Sequence, residues 1–306
     1  MSSYCSDDTV GPWAEDKLSK LENYLNAYIT ILKNQSWCEN IIYVDAFAAM
    51  GRAELRKYNK EKDDELPDLW NYEKQEEETA YINGSPLRAL NLKKCFTHYL
   101  FIELDANRVK KLQQLKTEYP DKNIEIIQDD CNKAIFDYLS RFNWKKSRGV
   151  IFLDPFGMQI PWATIERIAH LSPTNQPLEI ILNLPIQTTI ERFLPNKFEY
   201  NEKNGRLIQS YNDFFGSDEW FNLIYTEKQT LFGTEIAKNL GADDTLALWY
   251  AQRLKQLFGD VSIPYKVKNT KNRGLYYLIW AGQNATAKKI ANYVMQQGDK
   301  LHIRKQ

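Results

Sequence analysis

The feature that most constrains the fold is the regular alternation of short apolar runs and amphipathic segments from residue 99 to residue 184. Continuous apolar runs at Tyr99–Ile102 and Gly149–Leu153 are bounded by polar residues, which is typical of strands buried on both faces. Between them, apolar residues such as Val109 and Leu112 recur at helical spacing. This alternation predicts right-handed crossovers and a parallel sheet covered by helices on both faces.

The same patterns extend along the rest of the chain. The predicted strands are 41–44, 99–102, 124–127, 149–153, 178–184, 261–267 and 275–281. The predicted helices are 13–33, 85–94 (with Ser85 as N-cap and Pro86 in the first turn), 107–119, 133–141, 162–171 and 286–296. Five strands followed by a hairpin match the element order of the α/β, Rossmann-like class I methyltransferase fold. We therefore predict a mostly parallel seven-stranded sheet with a C-terminal antiparallel hairpin.

We expect residues 1–306 to form a single methyltransferase-like domain with two insertions. An N-terminal helix at 13–33 precedes the first strand. Residues 52–79 are rich in charge and show little periodicity, which predicts a solvated insertion or lid. Residues 186–258 are interpreted mainly as helices, forming a helical insert before the terminal hairpin.

Composition excludes several classes of protein. Hydrophobic residues make up 43% of the chain, so it is not intrinsically disordered. The 40 Lys and Arg balance the 40 Asp and Glu, which argues against a strongly basic nucleic-acid coat protein but leaves a local basic face open. The four cysteines form no CxxC pair and the three histidines lack metal-ligand spacing, so we expect no metal. Scattered cysteines, no signal peptide and no long apolar run predict a cytoplasmic protein without a membrane partner.

The first predicted strand ends in a loop suited to a cofactor. Ligands of open α/β sheets bind beyond the carboxyl ends of the strands. Asp45, Phe47, Ala48 and Gly51 lie in such a loop, where small residues allow the backbone to approach the methionine part of S-adenosylmethionine. An ordinary strand-to-loop turn is the alternative, because the loop has one glycine where methyltransferases usually have two or three.

Acidic residues follow the next two strands. Glu103 and Asp105 come after 99–102, and a carboxylate there can accept hydrogen bonds from both ribose hydroxyls. Glu103 is favoured for this role, since Asp105 can instead cap the following helix. Asp129 and Asp130 follow 124–127 and can accept from the adenine amino group, with helix capping as the alternative.

The fourth strand ends in Asp154, Pro155, Phe156 and Gly157, the most informative tetrapeptide of the chain. An exocyclic amine is a poor nucleophile because its lone pair is conjugated into the ring, and acceptors aimed at its hydrogens increase its reactivity. The Asp154 carboxylate and the Pro155 carbonyl can serve as such acceptors. Phe156 can stack on a base, and Gly157 leaves room for close approach. An ordinary turn is the alternative.

A basic cluster surrounds the predicted hairpin turn. Lys266, Lys268, Lys271 and Arg273 can contact phosphates of a nucleic-acid substrate, although a solvated hairpin explains them equally simply. The chain has neither a P-loop nor a GxGxxG sequence, which argues against an NTPase or an NAD enzyme.

Four stretches resemble the three-Cys-motif partner proteins, TcmP, over about residues 13–300. These stretches are Tyr43–Ala48, Gly84–Leu87, Phe152–Met158 and Leu275–Ile279. The resemblance implies a methyltransferase-like protein that works beside a phage-type protein bearing three cysteines, in a mobile or phage-defence locus. Asp-Pro-Phe-Gly is also similar to the motif of tRNA guanine-N2 dimethyltransferases and, more loosely, to the Asp-Pro-Pro-Tyr of adenine-amino DNA methyltransferases. Ala49 stands where TcmP proteins tend to have glycine.

These observations predict an S-adenosylmethionine-dependent methyltransferase that acts on an exocyclic amine, with a nucleobase in DNA or RNA as the expected acceptor. The alternative is a catalytically silent member that binds a nucleotide or a protein partner in a defence complex. A small-molecule methyltransferase is a third option.

Overall fold

The computed structural model describes residues 9–10, 13–55, 81–171, 177–199, 201–231, 233–239, 241–269 and 271–303. Most of the predicted charged insertion at 52–79, from residue 56 onward, lies outside the described residues.

Strands and helices occupy the following ranges. The strands are β1 (Thr9–Val10), β2 (Asn40–Asp45), β3 (Arg52–Leu55), β4 (Tyr81–Asn83), β5 (His98–Ile102), β6 (Ile124–Ile127), β7 (Ser147–Leu153), β8 (Leu178–Leu184), β9 (Lys197–Phe198), β10 (Tyr225–Thr230), β11 (Gly233–Lys238), β12 (Asp260–Val261), β13 (Tyr265–Lys268) and β14 (Gly274–Gly282). The helices are α1 (Trp13–Leu32), α2 (Ser85–Leu90), α3 (Ala106–Glu118), α4 (Cys131–Leu139), α5 (Trp162–Ala169), α6 (Glu191–Phe193), α7 (Glu202–Phe215), α8 (Trp220–Ile224), α9 (Ala242–Phe258) and α10 (Ala285–Ile303). A π-helical turn, Ile186–Ile190, follows β8.

The central sheet has the order β6-β5-β2-β7-β8-β14, with β12 and β13 both paired to the outer side of β14. Neighbouring strands from β6 to β8 are parallel, whereas β14 is antiparallel to β8. An antiparallel last strand inserted between the fifth parallel strand and the edge defines the Rossmann-like class I methyltransferase fold. The predicted fold class is confirmed by this strand order.

The edge of the sheet corrects the predicted strand count. The strand expected at 261–267 is divided into β12 and β13, so the sheet has eight strands among the described residues rather than seven. Ser262 turns inward, where its hydroxyl donates to the Met295 sulfur and accepts from the Trp280 N–H. The Ser262 N–H still donates to the Trp280 carbonyl, so the ladder is interrupted after it, where the Ile263 N–H donates to Oδ1 of Asn292 and Pro264 has no N–H to donate.

The described part of the segment 186–258 contains five helical stretches, the π-helical turn and α6 to α9, but it also contains three strands that were not predicted. β10 and β11 form a hairpin with six paired positions, and β9 joins β11 at Ile236 and Ala237. The two hairpin strands are short and polar, and of their described residues only Tyr225 and Ile236 belong to or pack against the main hydrophobic core. Because period-two alternation of apolar residues is absent, hydrophobic patterning could not identify them.

Helices cover both faces of the central sheet. Apolar residues of α1, α2, α3 and α10 pack on one face, and those of α4, α5 and α9 on the other. In α1 the buried positions include Leu18, Leu21, Leu25 and Ile29, at three- and four-residue spacing. Both faces of β7 are therefore buried, as its continuous apolar sequence predicts.

The start of α2 differs from the prediction. Gly84, not Ser85, is the N-cap, and the helix ends at Leu90 rather than at residue 94. The Ser85 hydroxyl bonds to the buried Asp45 carboxylate instead of capping its own helix. A tertiary contact has thus replaced a local one.

A small separate sheet joins three distant segments in the order β1-β3-β4. β1 is parallel to β3, and β3 is antiparallel to β4, with Arg52 opposite Asn83. The two ends of the segment between β3 and β4 are therefore direct neighbours. Among the described residues, no helix has the length and apolar character needed to cross a membrane.

Candidate functional site

Strand register brings the predicted acids to one edge of the central sheet. Asp45, the last residue of β2, is opposite Phe101 of β5 and Phe152 of β7. Glu103 and Asp154 each follow two residues after those positions. The carboxyl ends of parallel strands share one edge, so these three carboxylates lie at the edge of the sheet where ligands of such sheets bind.

Asp45 is fully buried and organises the first loop. Its carboxylate accepts from the Tyr43 hydroxyl at 3.1 Å and from the Phe47 N–H at 3.4 Å, and it bonds to the Ser85 hydroxyl. Burial raises the pKa of Asp45 to about 7, and the nearby Asp154 carboxylate adds to this rise. The Asp45 carboxyl group therefore holds the start of the loop through hydrogen bonds, and it is shielded from solvent.

The backbone of the first loop explains why glycines are expected there. Ala49 has φ 50° and Gly51 has φ 78°, both in the left-handed region. The Ala48 N–H donates to the Ile102 carbonyl at 3.0 Å, which fixes the loop to β5. A side chain at Gly84 would place its Cβ 2.9 Å from the Gly51 carbonyl oxygen, so this contact requires glycine. The loop adopts a glycine-type conformation with one alanine in it.

Glu103 and Asp105 have different roles in the structure. Glu103 is 9% exposed, and its Oε1 accepts from the Asp105 N–H at 2.9 Å. Asp105 caps α3 by accepting from the N–H groups of Asn107 and Arg108, each at 2.9 Å. The capping alternative for Asp105 is thus what the structure shows, and Glu103 is the carboxylate held at the end of β5.

The acids after β6 are divided in the same way. Asp130 caps α4 through the Asn132 N–H at 2.8 Å. Asp129 lies beside Lys133, with 3.5 Å between Oδ2 and Nζ, and its side chain is 40% exposed. Asp129 therefore keeps the greater capacity to bind a ligand.

Asp154 is the centre of a polar cluster that joins three elements. Its Oδ2 lies 2.5 Å from Nζ of Lys17 in α1, and its Oδ1 accepts from Nδ2 of Asn183 in β8 at 2.6 Å. The Lys17 ammonium also lies 5.2 Å from the centre of the Tyr276 ring in β14. We call Lys17, Asp154, Asn183 and Tyr276 the Asp154 cluster.

The residues after Asp154 form a tight exposed turn. The Gly157 N–H donates to the Pro155 carbonyl at 3.1 Å, and Gly157 has φ 84°. The Phe156 N–H donates to Oε1 of Gln159 at 2.8 Å. The Phe156 side chain is 69% exposed and lies 5.7 Å from the Arg108 guanidinium. An aromatic ring is thus presented to solvent just beyond the carboxyl end of β7.

Three members of the Asp154 cluster were not predicted from the sequence. Asn183 is the one for which a signal existed, because it is a polar residue inside the apolar run of β8. Lys17 has the spacing of a solvated helix position, and Tyr276 is a common strand residue. Neither carries a local signature.

The predicted basic cluster of the hairpin separates into two parts. Lys266 is paired with Asp243 at 2.5 Å and with Asp244 at 3.3 Å, in a network that also includes the Tyr277 hydroxyl. This pairing raises the pKa of Lys266 and lowers that of Asp243. The other three residues are exposed; we call Lys268, Lys271 and Arg273 the hairpin tip. In the described part of the chain, no group of three or more metal-ligating side chains occurs.

Comparison with known proteins gives likenesses of fold. The chain matches no protein-family model and no curated protein. A Legionella pneumophila structure of family DUF519 is 16% identical, covering 87% of this chain and 97% of its own, with a TM-score of 0.41. An rRNA methylase from Streptococcus thermophilus is 13% identical over 71% of this chain and 93% of its own, with a TM-score of 0.30.

A third similar structure is an S-adenosylmethionine-dependent methyltransferase from Clostridium acetobutylicum. It is 8% identical, covering 86% of this chain and 91% of its own, with a TM-score of 0.34. Because these identities and TM-scores are low, the fold assignment rests on the strand order above, and the similarity to TcmP stays a prediction.

Proposed function

We propose that the protein transfers a methyl group from S-adenosylmethionine to an exocyclic amine, and that the amine belongs to a nucleobase. The observation that carries the proposal is Asp154, a hydrogen-bond acceptor that follows β7, two positions before the exposed Phe156. In this fold that strand end faces the methyl acceptor. A carboxylate and an exposed ring two residues apart at one strand end suit a flat substrate with an amino group.

The cofactor cleft has the groups that a nucleoside sulfonium needs. Glu103 is held nearly buried at the end of β5, where its second oxygen can accept from the ribose hydroxyls. Asp129 follows β6 and can accept from the adenine amino group. The first loop, with left-handed backbone at Ala49 and Gly51, is bonded to the end of β5 through the Ala48 N–H. When bound, S-adenosylmethionine supplies an electrophilic methyl group and a neutral thioether leaving group.

Asp154 acts on the acceptor amine. Accepting a hydrogen bond from the amino group increases electron density on its nitrogen and stabilises the positive charge that develops there. The side chain of Asp154 is 24% exposed, so the proton released from the product amine has a path to water. Phe156 holds the ring of the base in place by stacking.

Two measurements test the proposal. Calorimetry with S-adenosylhomocysteine shows whether the cleft binds the cofactor, and transfer of label from methyl-tritiated S-adenosylmethionine to single-stranded DNA and to RNA shows the reaction. Asp154→Asn should lower transfer by about 10²-fold or more, as for loss of a transition-state hydrogen bond, and leave binding nearly intact. Asp137→Asn, an exposed carboxylate on α4, is the control and should change neither.

A catalytically silent binder is the second candidate, and one observation favours it. Both oxygens of Asp154 already have partners, Lys17 and Asn183, in the described structure. A wild-type protein that binds the cofactor but labels no nucleic acid, protein or small molecule supports this candidate and contradicts the first.

The TcmP resemblance adds a proposal about the partner. It suggests a phage-type protein with three cysteines, encoded in a defence or mobile-element locus. Co-expression with the product of a neighbouring gene of that kind, followed by co-purification, tests it independently of the reaction.

A further inference from the structure

Within the described part of the chain, Asn183 has a buried oxygen without a partner, on the side chain that bonds to Asp154. The residue is 5% exposed, and among the described residues nothing donates a hydrogen bond to its Oδ1. Its amide orientation is set by Asp154, since only the nitrogen can donate to that carboxylate. Buried acceptors are nearly always satisfied. The oxygen is thus an unpaired acceptor beside the Asp154 carboxylate.

Lys17 adds donors to the same place. One of its three N–H groups is used by Asp154, and its side chain is 12% exposed. The Tyr276 ring lies 5.2 Å from the ammonium and fixes its position. The cluster therefore presents two acceptors, from Asp154 and Asn183, and an adjacent donor.

We propose that Asp154, Asn183 and Lys17 recognise the amidine arrangement on the Watson–Crick edge of a base, namely an amino group beside an unprotonated ring nitrogen on that edge. The proposal rests on the proposed function and narrows its substrate to adenine or cytosine. One amino hydrogen bonds to Asp154 and the other to Asn183 Oδ1, while Lys17 donates to the ring nitrogen. Asn183 and Lys17 act as specificity residues.

This assignment changes the role expected of Pro155. Its carbonyl already accepts from the Gly157 N–H at 3.1 Å. Among the described residues Asn183 Oδ1 accepts no hydrogen bond, and it belongs to the side chain that bonds directly to Asp154. The second hydrogen-bond acceptor for the substrate amine is therefore the Asn183 side chain in β8, rather than the Pro155 carbonyl.

The arrangement rejects bases with a different edge. Uracil and hypoxanthine have a ring N–H with a single hydrogen, which leaves one of the two acceptors unpaired. Guanine has an unprotonated ring nitrogen beside its amine only at N3, next to the ribose. On its Watson–Crick edge a second N–H lies beside the amine, where Lys17 would face a donor. A buried group left without its partner strongly discriminates between substrates.

Saturation-transfer NMR with free nucleosides tests the recognition without requiring the reaction. The protein is first saturated with S-adenosylhomocysteine, so that adenosine cannot occupy the cofactor cleft. Adenosine, cytidine, guanosine, inosine and uridine are then compared at millimolar concentration. Adenosine or cytidine should give the strongest signal, and inosine and uridine should bind at least about tenfold more weakly.

Three variants test whether Asn183 and Lys17 are responsible for nucleoside binding. Asn183→Leu and Lys17→Met should each weaken binding of the preferred nucleoside by about tenfold while affinity for S-adenosylhomocysteine stays unchanged. Asn183→Gln keeps both an amide donor for Asp154 and an acceptor oxygen at this position and should retain more binding than Asn183→Leu. Lys145→Met, an exposed lysine outside the cluster, is the matched control and should change nothing.

The outcomes separate the inference from the proposed function. Preference for guanosine, equal signals from inosine or uridine, no nucleoside binding, or unchanged binding in both variants overturns the inference while cofactor binding still stands. Failure to bind S-adenosylhomocysteine counts against the proposed function itself. If Asn183→Leu does not fold, Lys17→Met with the nucleoside comparison decides the question.

Discussion

Replacing Asp45 by asparagine should remove a large part of the pH dependence of stability. Burial raises the pKa of the Asp45 carboxyl from 3.8 to about 7. The folded protein therefore holds a proton there that the unfolded chain releases at lower pH. Between about pH 4 and pH 7 the native state binds more protons, so stability falls as the pH rises.

The size of the effect follows from the pKa shift. A shift of about three units at about 1.4 kcal/mol each corresponds to about 4 kcal/mol, present in full below pH 4 and absent above pH 7. The amide introduced by Asp45→Asn does not titrate. The free energy of unfolding of this variant minus that of the wild type should therefore rise by about 4 kcal/mol between pH 4 and pH 8.

Urea unfolding at a series of pH values and constant ionic strength measures this difference. All other titrating groups are common to both proteins and largely cancel. Asp137→Asn, an exposed carboxylate, is the control and should give a difference that does not change with pH. A flat difference for Asp45→Asn would show that the carboxyl is ionised in the folded protein across the whole range, which refutes the reasoning.

Four further outcomes are expected. Glu103→Ala should weaken S-adenosylhomocysteine binding by about 1–3 kcal/mol in calorimetry, and unchanged affinity would leave Glu103 only its bond to the Asp105 N–H. Glu179→Gln should remove a second pH-dependent contribution of about 3 kcal/mol, since burial raises the pKa of Glu179 to about 7, and the fall in stability on raising the pH should shrink accordingly. Ala49→Gly should leave the thermal unfolding midpoint unchanged or higher, because glycine relieves a left-handed alanine; a clear fall contradicts this. Replacing the three basic residues of the hairpin tip by glutamine should lower the salt slope of nucleic-acid binding by about 0.7–0.9 for each phosphate that is no longer bound, and an unchanged slope would identify a solvated turn.

The central sheet could be predicted because its strands are buried on both faces. A strand such as β7 is a continuous apolar run, and such a run leaves few other interpretations. β10 and β11 could not be predicted in this way, because most of their side chains remain exposed or half-buried and show no apolar period. The assignments to a single domain and to the cytoplasm remain predictions.

The candidate site was predictable only where it follows directly from a strand end. Glu103 and Asp154 are placed by counting from a buried strand, and the structure puts them at the same edge. Lys17 contacts Asp154 across 137 positions of the chain, and no local pattern can indicate that contact. The same limit applied to Ser85, whose bond to Asp45 replaced the cap expected from its position.

The small sheet of β1, β3 and β4 has a consequence for how the chain can vary. β3 and β4 are paired, and the Gly84 N–H donates to the Gly51 carbonyl at 2.8 Å. The segment between β3 and β4 therefore begins and ends at adjacent points of the small sheet. The distance between those points does not depend on how many residues separate them. Shortening the segment 56–80 about sixfold would change the free-energy cost of loop closure by only about 1.6 kcal/mol. This position can therefore gain or lose chain, or accept a fused domain, while the first loop keeps its geometry.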